Sequence, residues 1–504
     1  MTTFWDALHV VLSPEIAAVM FLAAVFGLFV GATPGLTATM ATALLVPITF
    51  FMPPVAAIGA IVTCSAMAIF AGDIPAALLR IPGTPASAAY TDETFALNRK
   101  GRLDLALGTN MTASALGGIF GTIVLVFAAP QLADFALSFS SVEYFWLALL
   151  GLSCATLVSI GSPLKGIVSL CFGLLLSMIG LDVVMGFPRF TFGSMDLQGG
   201  VSLIAVLIGA FAVAELMRKA TNLGRPLPVP PPIRGSILKG QARVLWQHRK
   251  GLARGSVLGT LIGALPGAGA DIAAWISYAV AKRFSRTPEK FGTGHVEGVV
   301  EASASNNAAL SGAYIPALVF GIPGDSITAI VIGVLLIKGL TPGPTVFTSS
   351  PDLIAAVYVV FFLANFLMVP LGIAAIHLGR RILMIRPGVL YPLILLFCVI
   401  GAFATNNAVF DVWVMLVIGV VVWIMEANGY AAAPMVLGLV LGRVVEETFV
   451  NSMIKSNGSL LIFFERPLSA VLGVVTLLVW AYPVVVLLCR NLRHASPDTS
   501  SRAS

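Results

Sequence analysis

Two kinds of Pro-Gly break, each lying in apolar sequence and each present twice, limit what this chain can fold into. Gly31-Ala32-Thr33-Pro34-Gly35 returns as Gly263-Ala264-Leu265-Pro266-Gly267, and Ile81-Pro82-Gly83-Thr84-Pro85 returns as Ile322-Pro323-Gly324-Asp325. Proline lacks the N–H a helix needs and glycine tolerates any φ, so an apolar helix is expected to stop at all four points. In lipid a stopped helix leaves amides and carbonyls that the solvent cannot satisfy. Such breaks survive only where protein buries them or where they line a wet cavity. Matched breaks in two halves of a membrane chain point to a binding site at their meeting place.

The rest of the composition fits a membrane setting. Of 504 residues 58% are hydrophobic and 10% charged, with a mean hydropathy of +0.97; a soluble domain carries roughly 25% charge. The expected class is an all-α polytopic membrane protein. The formal charge of +6 sits in short basic loops between apolar runs, a topological signal that gives no ground for a nucleic-acid partner. Cys64, Cys154, Cys171, Cys398 and Cys489 lie singly with no CxxC spacing, which excludes the usual zinc and redox frameworks. The N-terminal stretch has no basic residues ahead of its apolar run and does not read as a cleaved signal peptide.

Loop charge then orders the spans. Residues 218–254 carry nine Lys or Arg, from Arg218 to Arg254, and no acid, so this connection is expected in the cytoplasm. Apolar runs at 104–130, 144–160, 164–181 and 200–217 precede it, which puts Arg99-Lys100-Gly101-Arg102 on the same side. In the second half Lys282, Arg283, Arg286 and Lys290 also look cytoplasmic, although one run, 255–281, parts them from the basic linker. The conflict disappears if Pro266-Gly267 is the tip of a re-entrant hairpin. A crossing at 297–320, a hairpin at Pro323-Gly324 from the outer face and a return at 352–378 follow. The same plan, upside down, fits the first half, with a crossing at 55–71. Runs at 388–405, 409–426, 430–442 and 468–489 bring the total to about 11–12 spans plus re-entrant hairpins, arranged as an inverted internal repeat. The expected units are a first transmembrane repeat at 1–217, a basic cytoplasmic linker at 218–254, a second, inverted repeat at 255–489 and a polar, disordered tail at 490–504.

An ordered set of motifs runs through this plan. It includes Leu45-Val46-Pro47-Ile48-Thr49-Phe50, Ile81-Pro82-Gly83-Thr84-Pro85-Ala86-Ser87, Arg189-Phe190-Thr191-Phe192-Gly193 and Leu265-Pro266-Gly267-Ala268-Gly269-Ala270. Phe291-Gly292-Thr293-Gly294, Asn306-Asn307-Ala308, Gly321-Ile322-Pro323-Gly324, Thr341-Pro342-Gly343-Pro344 and Ala433-Pro434 continue it. Over nearly the whole chain this resembles the large membrane subunit of the tripartite tricarboxylate transporters, the TctA type. The resemblance implies the permease of a bacterial inner-membrane importer moving an organic carboxylate on an ion gradient. It also implies two partner chains, a small four-helix membrane subunit and a periplasmic solute-binding protein. The chain departs from the pattern around the breaks. Where the family usually has Gly-Gly-Ser it has Ala71-Gly72-Asp73-Ile74, where Asp-Gly-Tyr-Pro is usual it has Asp92-Glu93-Thr94-Phe95, and Asp325 stands where a small residue is common. The substrate is therefore not assumed to be a tricarboxylate; a dicarboxylate or aromatic carboxylate serves equally.

Residues at the breaks carry the expected site. Pro34-Gly35, Pro82-Gly83, Pro266-Gly267 with Gly269, and Pro323-Gly324 would aim backbone N–H groups and half-helix dipoles at a carboxylate; the plain alternative is a set of kinks satisfied by neighbouring helices. Thr33, Thr37, Thr39, Thr84, Ser87, Ser326 and Thr328 offer hydroxyls to a carboxylate or to Na⁺, or bond back to their own helices. Asn306 and Asn307 offer amides to the ligand or act as interhelical glue. Arg80 is a guanidinium beside a tip, suited to a carboxylate, or a marker of the hairpin's cytoplasmic end. Asp73, Asp271 and Asp325, in apolar sequence, are expected to bind the coupling ion, Na⁺ or H⁺, or to be paired, as Asp73 with Arg80. No other cofactor and no metal site are expected. The rival classes are an intramembrane enzyme and a passive anion channel. Neither an HExxH pair nor a GxxxxGK[ST] loop is present for metalloprotease or ATP chemistry.

Overall fold

The computed structural model describes residues 4–34, 36–157, 163–182, 186–220, 236–267, 269–383 and 387–480. Helix α1 (Phe4–Val11) leads into α2 (Pro14–Ala32), which stops at the first break. Next come α3 (Ala38–Thr49), α4 (Pro54–Ala71) and α5 (Asp73–Leu79), which stops at the second. Then follow α6 (Thr91–Arg99), α7 (Leu103–Ala136), α8 (Ser141–Leu157) and α9 (Pro163–Ser177). A two-residue antiparallel ribbon, β1 (Gly180–Leu181) with β2 (Pro188–Arg189), precedes α10 (Leu203–Ile208). A π-helical turn, Gly209–Val213, joins α10 to α11 (Ala214–Ala220). The second half opens with α12 (Gln241–Gln247) and α13 (Arg249–Gly263), then α14 (Gly269–Phe284) beyond the third break and α15 (Val296–Phe320). Beyond the fourth break lie α16 (Ser326–Ile337), α17 (Val346–Ser349) and α18 (Pro351–Leu383). Then come α19 (Pro387–Asn406), α20 (Val409–Ala427), α21 (Ala432–Lys455) and α22 (Ile462–Glu465), and an apolar helix at Pro467–Trp480 is the last of the described residues.

Among the described residues six stretches are long and apolar enough to cross a membrane: Pro14–Ala32, Pro54–Leu79, Leu103–Ala136, Pro351–Gly379, Gly388–Asn406 and Val409–Ala427. Shorter apolar helices fill the space between them, and the chain is an all-α polytopic membrane protein. Several boundaries differ from the apolar runs for local reasons. The run at 55–71 extends through α5 because Gly72 keeps a right-handed conformation, φ −60° and ψ −17°. The run at 255–281 is two helices, parted at Pro266-Gly267. The 430–442 run is the apolar end of a helix that continues with charged residues to Lys455. Part of the basic linker is helical, since α12 and the start of α13 fall inside 218–254; residues 221–235 and the tail 490–504 lie outside the described residues.

Glycine decides how closely the central helices approach. A Cβ on Gly27 or Gly31 of α2 would run into the carbonyls of Cys64 and Ala68 on α4. A Cβ on Gly259 or Gly263 of α13 would run into those of Ser305 and Ala309 on α15. Both are small-xxx-small seams, which let two backbones touch where lipid supplies no hydrophobic drive. The breaks are tied in by the same device, Gly83 lying against the Gly31 carbonyl and Gly324 against that of Gly263. The two halves thus repeat one set of contacts in the same order.

The helix ends before the second and fourth breaks repeat as well. Arg80 (φ 58°) and Gly321 (φ 67°) are both left-handed C-caps. Ile81 N–H then bonds to the Pro75 carbonyl at 3.4 Å and Ile322 N–H to the Pro316 carbonyl at 3.2 Å, each reaching back six positions. Around this centre each half leans on the other: α7 packs on α15 and α18, and α18 on α4. An outer layer of α8, α9 and α21 meets in close glycine contacts at Gly173 and Gly438; α20 packs on the Gly209–Val213 turn through Gly209 and Gly419.

Gly27→Val and Gly259→Val should each cost about 1–3 kcal/mol of stability, the range for forcing extra methyl groups into a packed interior. Gly388→Ala, at a helical position with open space around it, should be neutral. Thermal unfolding of the detergent-solubilised variants measures both; equal melting temperatures for all three would contradict the packing argument.

Candidate binding chamber

All four breaks face one cavity of about 390 Å³. The first contributes Thr37 and Thr39, at the start of α3, and the second contributes Thr84 and Pro85. The third contributes Gly267, Gly269 and Asp271, at the start of α14, and the fourth Asp325 and Ser326, at the start of α16. Asn306 of α15 lies between them. The far wall is formed by Phe211, Glu426 and the Ala431–Pro434 entry to α21.

Each tip is locally self-satisfied. Thr37 caps α3, its hydroxyl accepting from Met40 N–H at 3.1 Å. Thr84 and Ser87 cap each other, each backbone N–H donating to the other's hydroxyl at 3.1 Å. Gly267 (φ 81°) and Gly269 (φ 59°) hold conformations that favour glycine, and a side chain at 269 would meet Asp325. Asp325 and Thr328 form a capping box: Asp325 Oδ1 accepts from Thr328 N–H at 2.8 Å, and the Thr328 hydroxyl takes the Asp325 N–H at 2.8 Å.

Bonds between breaks close the structure. Gly267 N–H donates to the Gly324 carbonyl at 2.7 Å and Gly83 N–H to that of Gly72 at 3.0 Å. Ala86 N–H donates to Asp271 Oδ1 at 3.2 Å, and Trp275 Nε1 to the Pro85 carbonyl at 3.1 Å, so α14 of the second half is pinned to the second break.

The expected residues divide into those that line the chamber and those that support it. Thr37, Thr39, Thr84, Gly267, Gly269, Asp271, Asn306, Asp325 and Ser326 line it. Pro34, Pro82, Gly83, Pro266, Pro323 and Gly324 sit behind the lining and shape the turns. Thr33 donates back to the Phe29 carbonyl at 2.8 Å, Ser87 to that of Thr84 at 2.8 Å, and the buried Thr328 serves the cap. Asn307 points away, its amide nitrogen 3.6 Å from Met368 Sδ. Gly35 lies outside the described residues.

Arg80 is a correction. Its side chain is 61% exposed and pairs with Asp92 at 2.8 Å; it neither lines the chamber nor meets Asp73. The left-handed backbone of the helix end turns it outward. Asp73 is fully buried behind the lining, where Tyr90 Oη donates to its Oδ1 at 2.8 Å and its Oδ2 has no partner. Asn306 is 1% exposed; its carbonyl oxygen meets no hydrogen-bond partner, while its side chain interacts with the Tyr90 hydroxyl.

Two wall residues carried no strong sequence signal. Phe211 enters through the π-helical turn, a feature that concentrates at functional sites but that periodicity does not reveal. Glu426 ends an apolar helix and pairs with Arg218 at 3.3 Å. Tyr90, which holds Asp73 without lining the chamber, also went unmarked by any sequence motif. No lysine, arginine or histidine is among the residues that line the chamber.

Residues 17–437 match the tripartite tricarboxylate transporter TctA family. A relative from Agrobacterium vitis, an uncharacterized 52.8 kDa protein in the TAR-I ttuC' 3' region, is 35% identical over 459 residues, 89% of each chain. A second A. vitis protein, in the TAR-II ttuC' 3' region, is 38% identical over 212 residues, 42% of this chain and 88% of its own. No solved structure matches the chain.

A buried amide oxygen with no partner costs stability unless something in the chamber satisfies it. Asn306→Leu, close in size, should therefore raise the stability of the ligand-free protein by about 1–2 kcal/mol. Chemical or thermal unfolding checks the sign; a loss of more than about 1 kcal/mol would mean that protein groups already satisfy the amide.

Proposed function

Since the chain belongs to the tripartite tricarboxylate transporter TctA family, we propose that it is the large permease subunit of a binding-protein-dependent, secondary-active importer of an organic carboxylate. Family and fold place it among membrane transporters rather than enzymes. The observation that carries the finer reading is the convergence of four helix breaks on one chamber. Interrupted helices cost unsatisfied backbone, and in a membrane chain that cost is met where a ligand is handled.

In this reading the two halves are an inverted repeat. Pro34-Gly35 and Pro266-Gly267 are tips of re-entrant hairpins, as are Pro82-Gly83 and Pro323-Gly324, entering from opposite faces. The matched glycine seams and helix ends support a duplicated unit. The start of α3, capped by the neutral Thr37, faces the chamber, so its N-terminal dipole favours an anionic group there. Hydroxyls of Thr37, Thr39, Thr84 and Ser326 add hydrogen bonds.

Asp271 and Asp325 in the lining, with Asp73 and Thr328 behind it, supply oxygens for the coupling ion, Na⁺ or H⁺. A carboxylate buried without a partner, as at Asp73 Oδ2, must find one or be neutralised. The substrate is a tri-, di- or aromatic carboxylate. It is delivered across the bacterial inner membrane from a periplasmic solute-binding protein, with a small four-helix subunit completing the complex.

The test is uptake into proteoliposomes holding both membrane subunits, supplied with the cognate binding protein loaded with its carboxylate. Accumulation is expected under an inward Na⁺ or H⁺ gradient and should collapse when the gradient is dissipated. No gradient-driven uptake of any carboxylate that the binding protein holds would refute the proposal.

A further inference from the structure

A second crevice, of about 380 Å³, lies where α7 of the first half, α18 of the second and α12 of the basic linker meet. Its apolar wall includes Leu116 and Ile119 of α7, Ala242 and Leu245 of α12, and Phe366 and Val369 of α18. From its chemistry and the charge beside it we infer that this crevice binds an anionic phospholipid, one acyl chain lying inside and the phosphate meeting the basic side chains at the rim. The inference stands apart from the carboxylate-transport reading and adds a second site to the protein.

The polar side chains in the lining are already occupied at home. The Thr112 hydroxyl donates to the Gly108 carbonyl at 2.7 Å, and Gln241 accepts from Thr109 at 3.0 Å and donates to the Ile237 carbonyl at 3.1 Å. Asn365 donates to the Phe361 carbonyl at 2.8 Å, and its unpartnered oxygen lies against Gly118. An extended peptide in the crevice would give up its hydrogen bonds to water for a single acceptor, which rules it out as the occupant. A helix satisfies its own backbone, but a piece about 10 Å across and about 10 Å long, the span from Thr112 to Ile119, needs roughly twice the space. A hydrocarbon chain meets both conditions.

The rim supplies the charge. Next to the lining stripe of α12 come the exposed Arg243 and Trp246, and Lys239 sits in the turn that leads into the helix. Trp246 is 70% exposed, with the Arg249 guanidinium over its ring, 5.1 Å from the centre. Of the basic residues from Lys239 to Arg254, only Arg254 has an acidic partner among the described residues, Glu301. Residues 218–254 contain no acid at all. An exposed tryptophan among unanswered lysines and arginines on a short amphipathic helix is the make-up of a segment lying in the headgroup layer, where such cations collect acidic lipid. The bilayer thus offers at this place the one molecule that joins a phosphate to a chain able to fill the crevice.

Native mass spectrometry of the full-length, delipidated protein tests the site, with phosphatidylglycerol and phosphatidylcholine of identical acyl chains supplied in equal amounts. Phosphatidylglycerol should be retained about tenfold better. Lys239→Gln, Arg243→Gln and Arg249→Gln together should cut that preference to about twofold or less, and these side chains are exposed, so the fold should tolerate their loss. Leu116→Trp should fill the crevice and lower phosphatidylglycerol retention about tenfold; Ala242→Trp repeats the test from the exposed wall on α12. Millimolar glycerol phosphate, which has the headgroup chemistry and no chain, should displace none of the lipid. Equal retention of the two lipids would overturn the inference, as would a preference that survives the triple variant or retention unchanged by both tryptophans. Displacement by glycerol phosphate would make the site one for a free phosphate ester, and loss of a second protein chain in place of lipid would make it an interface; either result also overturns the proposal.

Discussion

Everything in this protein depends on backbone meeting backbone at the four breaks. Proline and glycine stop the helices, and the amides set free there must be satisfied by protein. Gly267 N–H of the third break is satisfied by Gly324 of the fourth, and Gly83 N–H of the second by Gly72 between α4 and α5, and glycine lets the chains come that close. The seams of α2 on α4 and α13 on α15 serve the same end, since without them the tips would stand too far apart to share hydrogen bonds. The chamber is the space left where these mutually satisfied ends meet.

The halves are also clamped away from the chamber. Glu93 on α6 is fully buried and accepts from the backbone N–H groups of Gly292, Gly294 and His295 and from the Tyr278 hydroxyl, which stabilises its charge inside protein. Lys100 donates to the Thr293 carbonyl at 2.6 Å. Glu93 lies in the run that departs from the family's usual Asp-Gly-Tyr-Pro, and the loop it binds is itself one of the ordered motifs. Such a clamp fixes the loop before α15, and with it the helix that carries Asn306.

Much of this was legible in the sequence because it depends on backbone chemistry. Pro-Gly pairs mark helix stops wherever they fall, and apolar length marks spans, so the breaks and the all-helical class could be read directly. Side-chain direction could not. Arg80 precedes a tip in sequence, but its left-handed φ sends it to the surface, and nothing in a one-letter code fixes that angle. Asn307 adjoins Asn306, yet on a helix neighbouring residues diverge by about 100°, so only one of them faces the chamber. Phe211 and Glu426 come from the outer layer, and contacts of such sequence separation leave no local periodic trace.

The helix end at Arg80 has a match in the second half of the chain. Its counterpart is Gly321, with the same left-handed turn and the same closing bond from the following isoleucine. A non-glycine residue in that conformation costs about 1–2 kcal/mol, more than an exposed ion pair such as Arg80 with Asp92 returns. The backbone path has therefore been kept even where the side chain fits it poorly. The chamber wall follows the same logic with the opposite consequence. Thr39 and Asp271, or Thr84 and Asp325, share a backbone position and differ only in the group presented to the cavity. A fold held by main-chain contacts leaves its lining side chains free to differ, so matching backbone contacts in the two halves go with walls that differ in charge.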